Sequence, residues 1–362
     1  MRIEIRRFDL PLTRPFGISR GTSLSQRTIL VSLGAGDVVG HGEATTNDYY
    51  GVSEAGLIEA ITAIVPILQG WAPGPPEELF DAIEPLLAGD APGSGVRRFA
   101  LCAIDQAMHD LWGKLQEQPL YSMWGGELAD LPVSNYTVAL DAIPAMVENL
   151  RENAGWPRYK IKLGREDDLE ILAALRAETD VPFRVDANAG WSFDRACELV
   201  EAITRFGVEL IEQPLAVEDD RRVAELAKAS PLPLFADESC RIVADVDRCA
   251  DAGFAGVNLK LVKCGGLTPA RRLIERAKAR GLAVMAGCMT ESSVGISALA
   301  QLLPWLDYVD LDGAYLLAED PAEGVSVDHG IAIFPPAGTL AANGTGARLI
   351  DPSAGLIATF DG

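Results

Sequence analysis

At 362 residues the chain is long for one ordinary core and short for three, so its length suggests a large barrel or sandwich with a smaller second domain. A composition 48% hydrophobic, 7% aromatic and 23% charged supports a packed core and excludes disordered, collagen-like and low-complexity classes. The 52 Asp and Glu outnumber 31 Lys and Arg, and a formal charge of −21 repels a phosphate backbone, which argues against a nucleic-acid partner.

The N-terminal MRIEIRRFDLPL alternates charge with hydrophobe and lacks the continuous apolar segment of a secretory signal. No run reaches the roughly 18 apolar residues of a membrane helix, so a cytoplasmic protein with no membrane partner is expected. Arg2 to Asp9 reads as a strand, and TILVSLGAGDVVGHGEA as a hairpin turning at Gly34-Ala35-Gly36-Asp37. SEAGLIEAITAIVPIL and SGVRRFALCAIDQAMHDLWGKLQ carry helical spacing. These elements predict an α+β unit over 1–125, with FGISRGTSLS (16–25) and TTNDYYGV (45–52) as loops.

From about residue 133 the texture becomes β-rich runs, each followed by a helical stretch: SNYTVAL, YKIKLG, FRVDAN, VELIEQP, LPLFADES, GVNLKLVK, LAVMAGCM and YVDLDG. Alternating strand and helix implies a parallel sheet with right-handed crossovers. Eight evenly spaced units favour closure into an α/β fold of (β/α)8 type over a doubly wound open sheet, here across 126–324. The Gly/Pro/Ala-rich segment 325–362 is expected to pack back on the N-terminal unit, completing it as a cap. Six cysteines (Cys102, Cys197, Cys240, Cys249, Cys264 and Cys288) lack CxxC pairs, which indicates reduced, mostly buried thiols.

In such a barrel the active site lies at the C-terminal strand ends, and here those ends carry charges. Lys162, Asp186, Glu212, Asp237 and Lys260 follow one another at spacings of 24, 26, 25 and 23 residues, about one βα unit each, so all should converge on one mouth. Three neighbouring carboxylates repel unless a cation sits among them. All-oxygen ligands without His or Cys select Mg2+, or Mn2+, over zinc. Lys160 and Lys162 point to one face of their strand, and two close ammonium groups disfavour each other's charge, lowering a lysine pKa towards that of a base. Lys263, beside Gly265-Gly266, reads as a loop lysine.

The combination of K-x-K, D-x-N, E-Q-P, D-E-S and N-x-K-x-x-K-x-G-G resembles the enolase superfamily, and within it the muconate-lactonizing subgroup, over essentially the whole chain. The resemblance implies a modified TIM barrel with a capping domain, a lysine base and Mg2+ stabilising an enediolate formed by abstraction of a proton alpha to a carboxylate. It assigns the metal to Asp186, Glu212 and Asp237, and the catalytic lysines to Lys162 and Lys260 on opposite faces of the substrate, with Lys160 beside them. That arrangement serves epimerases and racemases, and also cycloisomerases and dehydratases.

Asp310 and Asp312 of Asp-Leu-Asp-Gly resemble the element that grips a free ammonium group in dipeptide epimerases, and Gly287 to Ser293 is similar to the same group. Thr137 and Met289 join them as substrate-binding candidates. N-acylamino acid racemase, o-succinylbenzoate synthase and muconate cycloisomerase are the alternatives, and the first of these has no ammonium to bind. Substrate choice is expected in the cap, where Arg20 favours an acidic side chain, Asp48 a basic one, and Tyr49 and Tyr50 an apolar one. The expected partners are thus a dipeptide and further copies of this chain.

Three rival readings are weaker. Gly17-Ile18-Ser19-Arg20-Gly21 matches a hydrolase nucleophile elbow but follows no buried central strand. Gly40-His41-Gly42-Glu43 is an incomplete dinucleotide fingerprint with no helix after it. A solute-binding protein with an acidic pocket would normally carry an export signal and needs no paired lysines.

Overall fold

The structure, a computed structural model, describes residues 1–87, 95–336, 338–339 and 343–361. Its N-terminal part is an antiparallel sheet in which β1 (Arg2–Ile18) pairs with β2 (Gly21–Ala35) and β2 with β3 (Val38–Thr45). The expected turn lies at Gly36, with φ of +60°, and Asp37. Ile3, Ile5, Ile29, Val31 and Leu33 alternate along the strands and bury one sheet face beneath α1 (Glu54–Gly70), α2 (Pro76–Leu87) and α3 (Val96–Leu115). The other face sets Leu30 and Phe8 against Val294, Ala322, Ala347 and Leu349. Strand Leu356–Phe360 closes the outer edge of the sheet, with Ile3 opposite Phe360 and Ile5 opposite Ala358.

One expectation differs from this part of the fold, and one helix was not expected at all. FGISRGTSLS is not a loop: Phe16, Gly17 and Ile18 pair with Ser23, Thr22 and Gly21, leaving Ser19-Arg20 as the turn of a long hairpin. Helix α2 carried no clear sequence signal, because Pro76 and Pro85 lie within it and a Pro/Gly-rich stretch precedes it.

Helix α3 is buried on nearly every side, between the sheet and the barrel, and its polar groups are matched accordingly. Asp110 accepts hydrogen bonds from the backbone of His41 and Thr345 and from Lys114 Nζ, and Asp105 from the Thr268 amide and hydroxyl. Gly40 and Gly42 let β3 touch this helix, since a Cβ on Gly42 would stand 2.0 Å from Ala103 O and one on Gly40 2.3 Å from Ala107 O. The glycine pair therefore serves helix–sheet contact.

Eight parallel strands follow: β4 (Tyr136–Val138), β5 (Tyr159–Lys162), β6 (Phe183–Asp186), β7 (Val208–Glu212), β8 (Leu234–Ala236), β9 (Gly256–Leu259), β10 (Ala283–Gly287) and β11 (Tyr308–Asp310). Each of the eight runs read from the sequence contains one of them. The ladder is continuous from β4 to β11, and side chains join its two edges. Asn135 Nδ2 donates to Asp310 Oδ1 at 2.9 Å, and the Leu311 amide to Ser134 Oγ at 2.8 Å. Leu210, Phe235, Met285 and Tyr308 fill the barrel floor. No helix among the described residues is long and apolar enough to cross a membrane.

Gly42→Ala should cost about 1–3 kcal/mol by overpacking the contact between β3 and α3. Urea denaturation measures it, and an unchanged midpoint would contradict the close approach.

Candidate active site at the barrel mouth

The period of two along a strand explains how charge reaches the mouth. On β5, Tyr159 and Ile161 join the apolar core, while Lys160 and Lys162 share the opposite, inward face. Asp186 and Glu212 are the last residues of β6 and β7, and Asp237 and Lys260 come one residue after β8 and β9. Asp310 ends β11 and Asp312 lies two residues beyond. All eight side chains are buried.

Oxygens of Asp186, Glu212 and Asp237 lie within 4.8 Å of one another. Lysines thread the cluster: Lys160 Nζ is 2.8 Å from Glu212 Oε2, 3.0 Å from Asp310 Oδ2 and 3.3 Å from Asp186 Oδ2. Lys162 Nζ reaches Asp186 Oδ2 at 2.7 Å, and Lys260 Nζ reaches Asp237 Oδ2 at 2.8 Å. Burial would raise the Asp186 and Asp237 carboxyls, but the adjoining lysines outweigh it and hold both below the usual range. Glu212 goes the other way, pushed up to about 8 by burial and the Asp186 charge. Its Oε2 is buried and meets only the Lys160 ammonium. Three converging buried carboxylates, with no histidine or cysteine in the cluster, fit a hard divalent cation.

At Lys160 the expected lowering of the pKa is reversed. Burial disfavours the charged form of Lys160, but Glu212, Asp310 and Asp186 outweigh it and raise its pKa well above normal. Lys260 is likewise raised, with Asp237 overcoming burial. Neighbouring carboxylates, rather than the paired ammonium groups, set the local field. Lys263 is not a loop lysine either: buried in a one-turn helix, Leu261–Cys264, its Nζ donates to Asp237 Oδ1 at 2.5 Å and to the carbonyls of Asp237, Cys240 and Asn258.

Across the mouth, the Asp310 oxygens are taken by Asn135 and Lys160, and its carboxyl is held low by Lys160 against the effect of burial. Asp312 Oδ2 accepts from the Thr137 amide at 2.5 Å, and burial and the Asp310 charge push its carboxyl far up. The cap and barrel enclose a cavity of about 910 Å³ whose lining includes Thr137, Asp310, Asp312 and Met289 from the barrel and Arg20, Asp48 and Tyr50 from the cap. Tyr50 is packed against Phe99 and Tyr49, whereas Asp48 is exposed. Met289 Sδ stands 3.9 Å from Asn47 Nδ2. Arg20 is engaged: it donates to Asn188 O at 2.7 Å and Glu238 Oε1 at 2.9 Å and lies over the Tyr49 ring.

Several working residues had a sequence signal but no assigned role. Asn188 of D-x-N donates to both Asp186 oxygens, and Asn258 of N-x-K donates to Glu212 Oε1 at 2.8 Å. Glu238 of D-E-S meets Arg20. Asn135 had no signal, because its partner Asp310 is 175 residues away.

Comparison with known proteins places this geometry. Residues 2–125 match the mandelate racemase / muconate lactonizing enzyme N-terminal domain, and residues 142–338 match the enolase C-terminal domain-like model. The chain belongs to the mandelate racemase / muconate lactonizing enzyme family. It is 42% identical over 339 residues to the L-Ala-D/L-amino acid epimerase of Maribacter sp., covering 93% of this chain and 98% of the relative. A dipeptide epimerase from Cytophaga hutchinsonii shares the fold at a TM-score of 0.90 and 24% identity, over 99% and 98% of the two chains. Another, from Enterococcus faecalis V583 and complexed with Mg and L-Leu-L-Tyr, gives 0.87 and 27%, over 96% and 98%. This member of the family is an isomerase of the enolase superfamily.

Lys263→Met should destabilise this family member by about 3–5 kcal/mol, since Asp237 and three carbonyls lose their shared donor. Chemical denaturation measures the loss, and a cost under about 1 kcal/mol would fit a solvated lysine instead.

Proposed function

We propose that this isomerase epimerises a dipeptide at the alpha carbon beside its free carboxylate, with Mg2+ held by Asp186, Glu212 and Asp237. The observation that carries this reading is the order of charges round the barrel. β5 and β9 stand four steps apart in a ring of eight, so Lys162 and Lys260 rise from opposite walls. The three carboxylates occupy the arc between them on β6, β7 and β8, and Asp310 and Asp312 occupy the other arc. A dipeptide laid across the mouth sends its carboxylate to the first arc and its ammonium to the second. Its C-terminal alpha carbon then falls between the two lysines. The epimerase relatives described above, one of them complexed with Mg and a dipeptide, support the same reading.

Mg2+ bound there supplies Lewis-acid stabilisation of the charge that develops on the substrate carboxylate. Lys162, 2.7 Å from Asp186, and Lys260, 2.8 Å from Asp237, are the side chains placed to move a proton at the alpha carbon, one from each wall. Lys162 takes the proton from one face and Lys260 returns one to the other; the reverse reaction exchanges their roles. Lys160, paired with three carboxylates, stays charged and adds electrostatic stabilisation. Asp312, repelled by Asp310, gains most from an incoming ammonium. The cap overhangs the cavity and limits water around the reacting carbon.

L,L-dipeptides incubated with enzyme and Mg2+ in deuterated water should gain deuterium at the C-terminal alpha carbon and epimerise there. Prolonged chelation should abolish both, and activity that survives it would refute the metal assignment.

Lys162→Ala and Lys260→Ala should each lose epimerisation, while one variant retains alpha-proton exchange with a single stereoisomer. Normal epimerisation by either variant would overturn the two-base assignment.

Asp312→Asn should lower kcat/KM on free dipeptides at least tenfold, about 1.4 kcal/mol. An enzyme that prefers N-acetyl or N-succinyl substrates would instead be an N-acylamino acid racemase.

A further inference from the structure

The metal ligands are tied to the cap through one residue. Arg20 sits in the two-residue turn between β1 and β2, and its guanidinium reaches two barrel loops at once. One nitrogen donates to the carbonyl of Asn188, whose own amide and side chain clamp both oxygens of Asp186 at 2.8 and 3.2 Å. The other donates at 2.9 Å to the carboxylate of Glu238, the residue directly after Asp237. The Tyr49 ring lies 4.2 Å from the guanidinium carbon, so the second cap segment over the cavity joins the same contact. Asn188 has φ of +45°, a left-handed backbone that persists where surroundings hold it. The hairpin tip is seated closely: a Cβ on Gly164 or Gly190, in the loops after β5 and β6, would stand 2.9 or 3.3 Å from Ser19 Cβ.

We infer that Arg20 is a positioning residue for the metal centre, a clasp that holds Asp186 and Asp237 in register when the hairpin is docked, and not the receptor of an acidic substrate side chain. The inference rests on the reading that those two aspartates bind Mg2+. Arg20 touches neither carboxylate, so its influence passes through Asn188 and Glu238. Its charge is already met by Glu238, which is buried and keeps one oxygen without any partner. Removing Arg20 strands that carboxylate and frees the Asn188 loop. Linkage requires the converse: Mg2+ binding must tighten the docking of the hairpin.

The test is Arg20→Met, with Arg20→Lys beside it, in the full-length enzyme. Mg2+ titration by calorimetry should give a dissociation constant about tenfold higher for Arg20→Met, at the low end of the usual loss when a residue supporting metal ligands is removed. Arg20→Lys, which keeps the charge but cannot bridge both acceptors, should fall between this variant and the wild type. Mg2+ should slow hydrogen exchange over residues 16–25 in the wild type and have less effect in Arg20→Met. At saturating Mg2+, kcat/KM should fall by the same factor for L-Ala-L-Glu and L-Ala-L-Leu. Unchanged or tighter Mg2+ binding by Arg20→Met, or a loss confined to L-Ala-L-Glu, overturns the clasp. A wild-type enzyme that binds no Mg2+ removes the metal reading and the clasp with it.

Discussion

The barrel mouth is held together by the pairing of buried charges. Asp186, Glu212, Asp237, Glu238, Asp310 and Asp312 face Lys160, Lys162, Lys260 and Lys263 in a space from which solvent is largely excluded, and the more exposed Arg20 meets Glu238 at its rim. Each carboxylate alone would be costly to bury, and so would each lysine, because neither keeps its hydration. Together they leave a small negative excess when all are ionised, which suits a site that takes up a cation. The cap and the strand order matter to function because they bring these charges within bonding distance and keep water from competing.

Closed topology divides the labour. Lys263 and Asn258 anchor Asp237 and Glu212 from β9 and the turn after it, one and two strands away, and Asn188 anchors Asp186 from the loop after its own strand. Asn135 anchors Asp310 from beside β4, across the barrel seam. Neutral amides and two lysines, Lys160 and Lys263, thus orient the carboxylates, leaving Lys162 and Lys260 to face the cavity. The layer beneath sets Leu210, Phe235 and Met285 beside one buried cation, Arg184, which pairs with Glu209 and Asn135.

The barrel was legible because two periodicities coincide in the sequence. Short apolar runs recur about every 25 residues, and a charged residue recurs at the end of six of the eight, so neither signal depends on the other. What could not be read were relations between distant segments. The K-x-K pair considered alone predicts lysines of lowered pKa, but their neighbours in space are Glu212 and Asp310, 52 and 150 residues beyond Lys160. Lys263 looked loop-like because Gly265-Gly266 follow it, and those glycines, with φ of +106° and +122°, instead end the single helical turn that directs it inward. Gly and Ser around Arg20 carry little strand propensity, and only pairing between β1 and β2 makes that segment extended.

The antiparallel pairing of Leu356–Phe360 with β1 bears on the order in which the molecule can be assembled. β1 is translated about 340 residues ahead of its edge partner. At ordinary elongation rates of about 5–20 residues per second, that edge waits roughly 20–70 s for its neighbour. During that interval an alternating strand presents unpaired backbone to the crowded cell, a template for wrong pairing. The cap sheet is completed only after the barrel has been synthesised, so the module that covers the active site is the last to become whole.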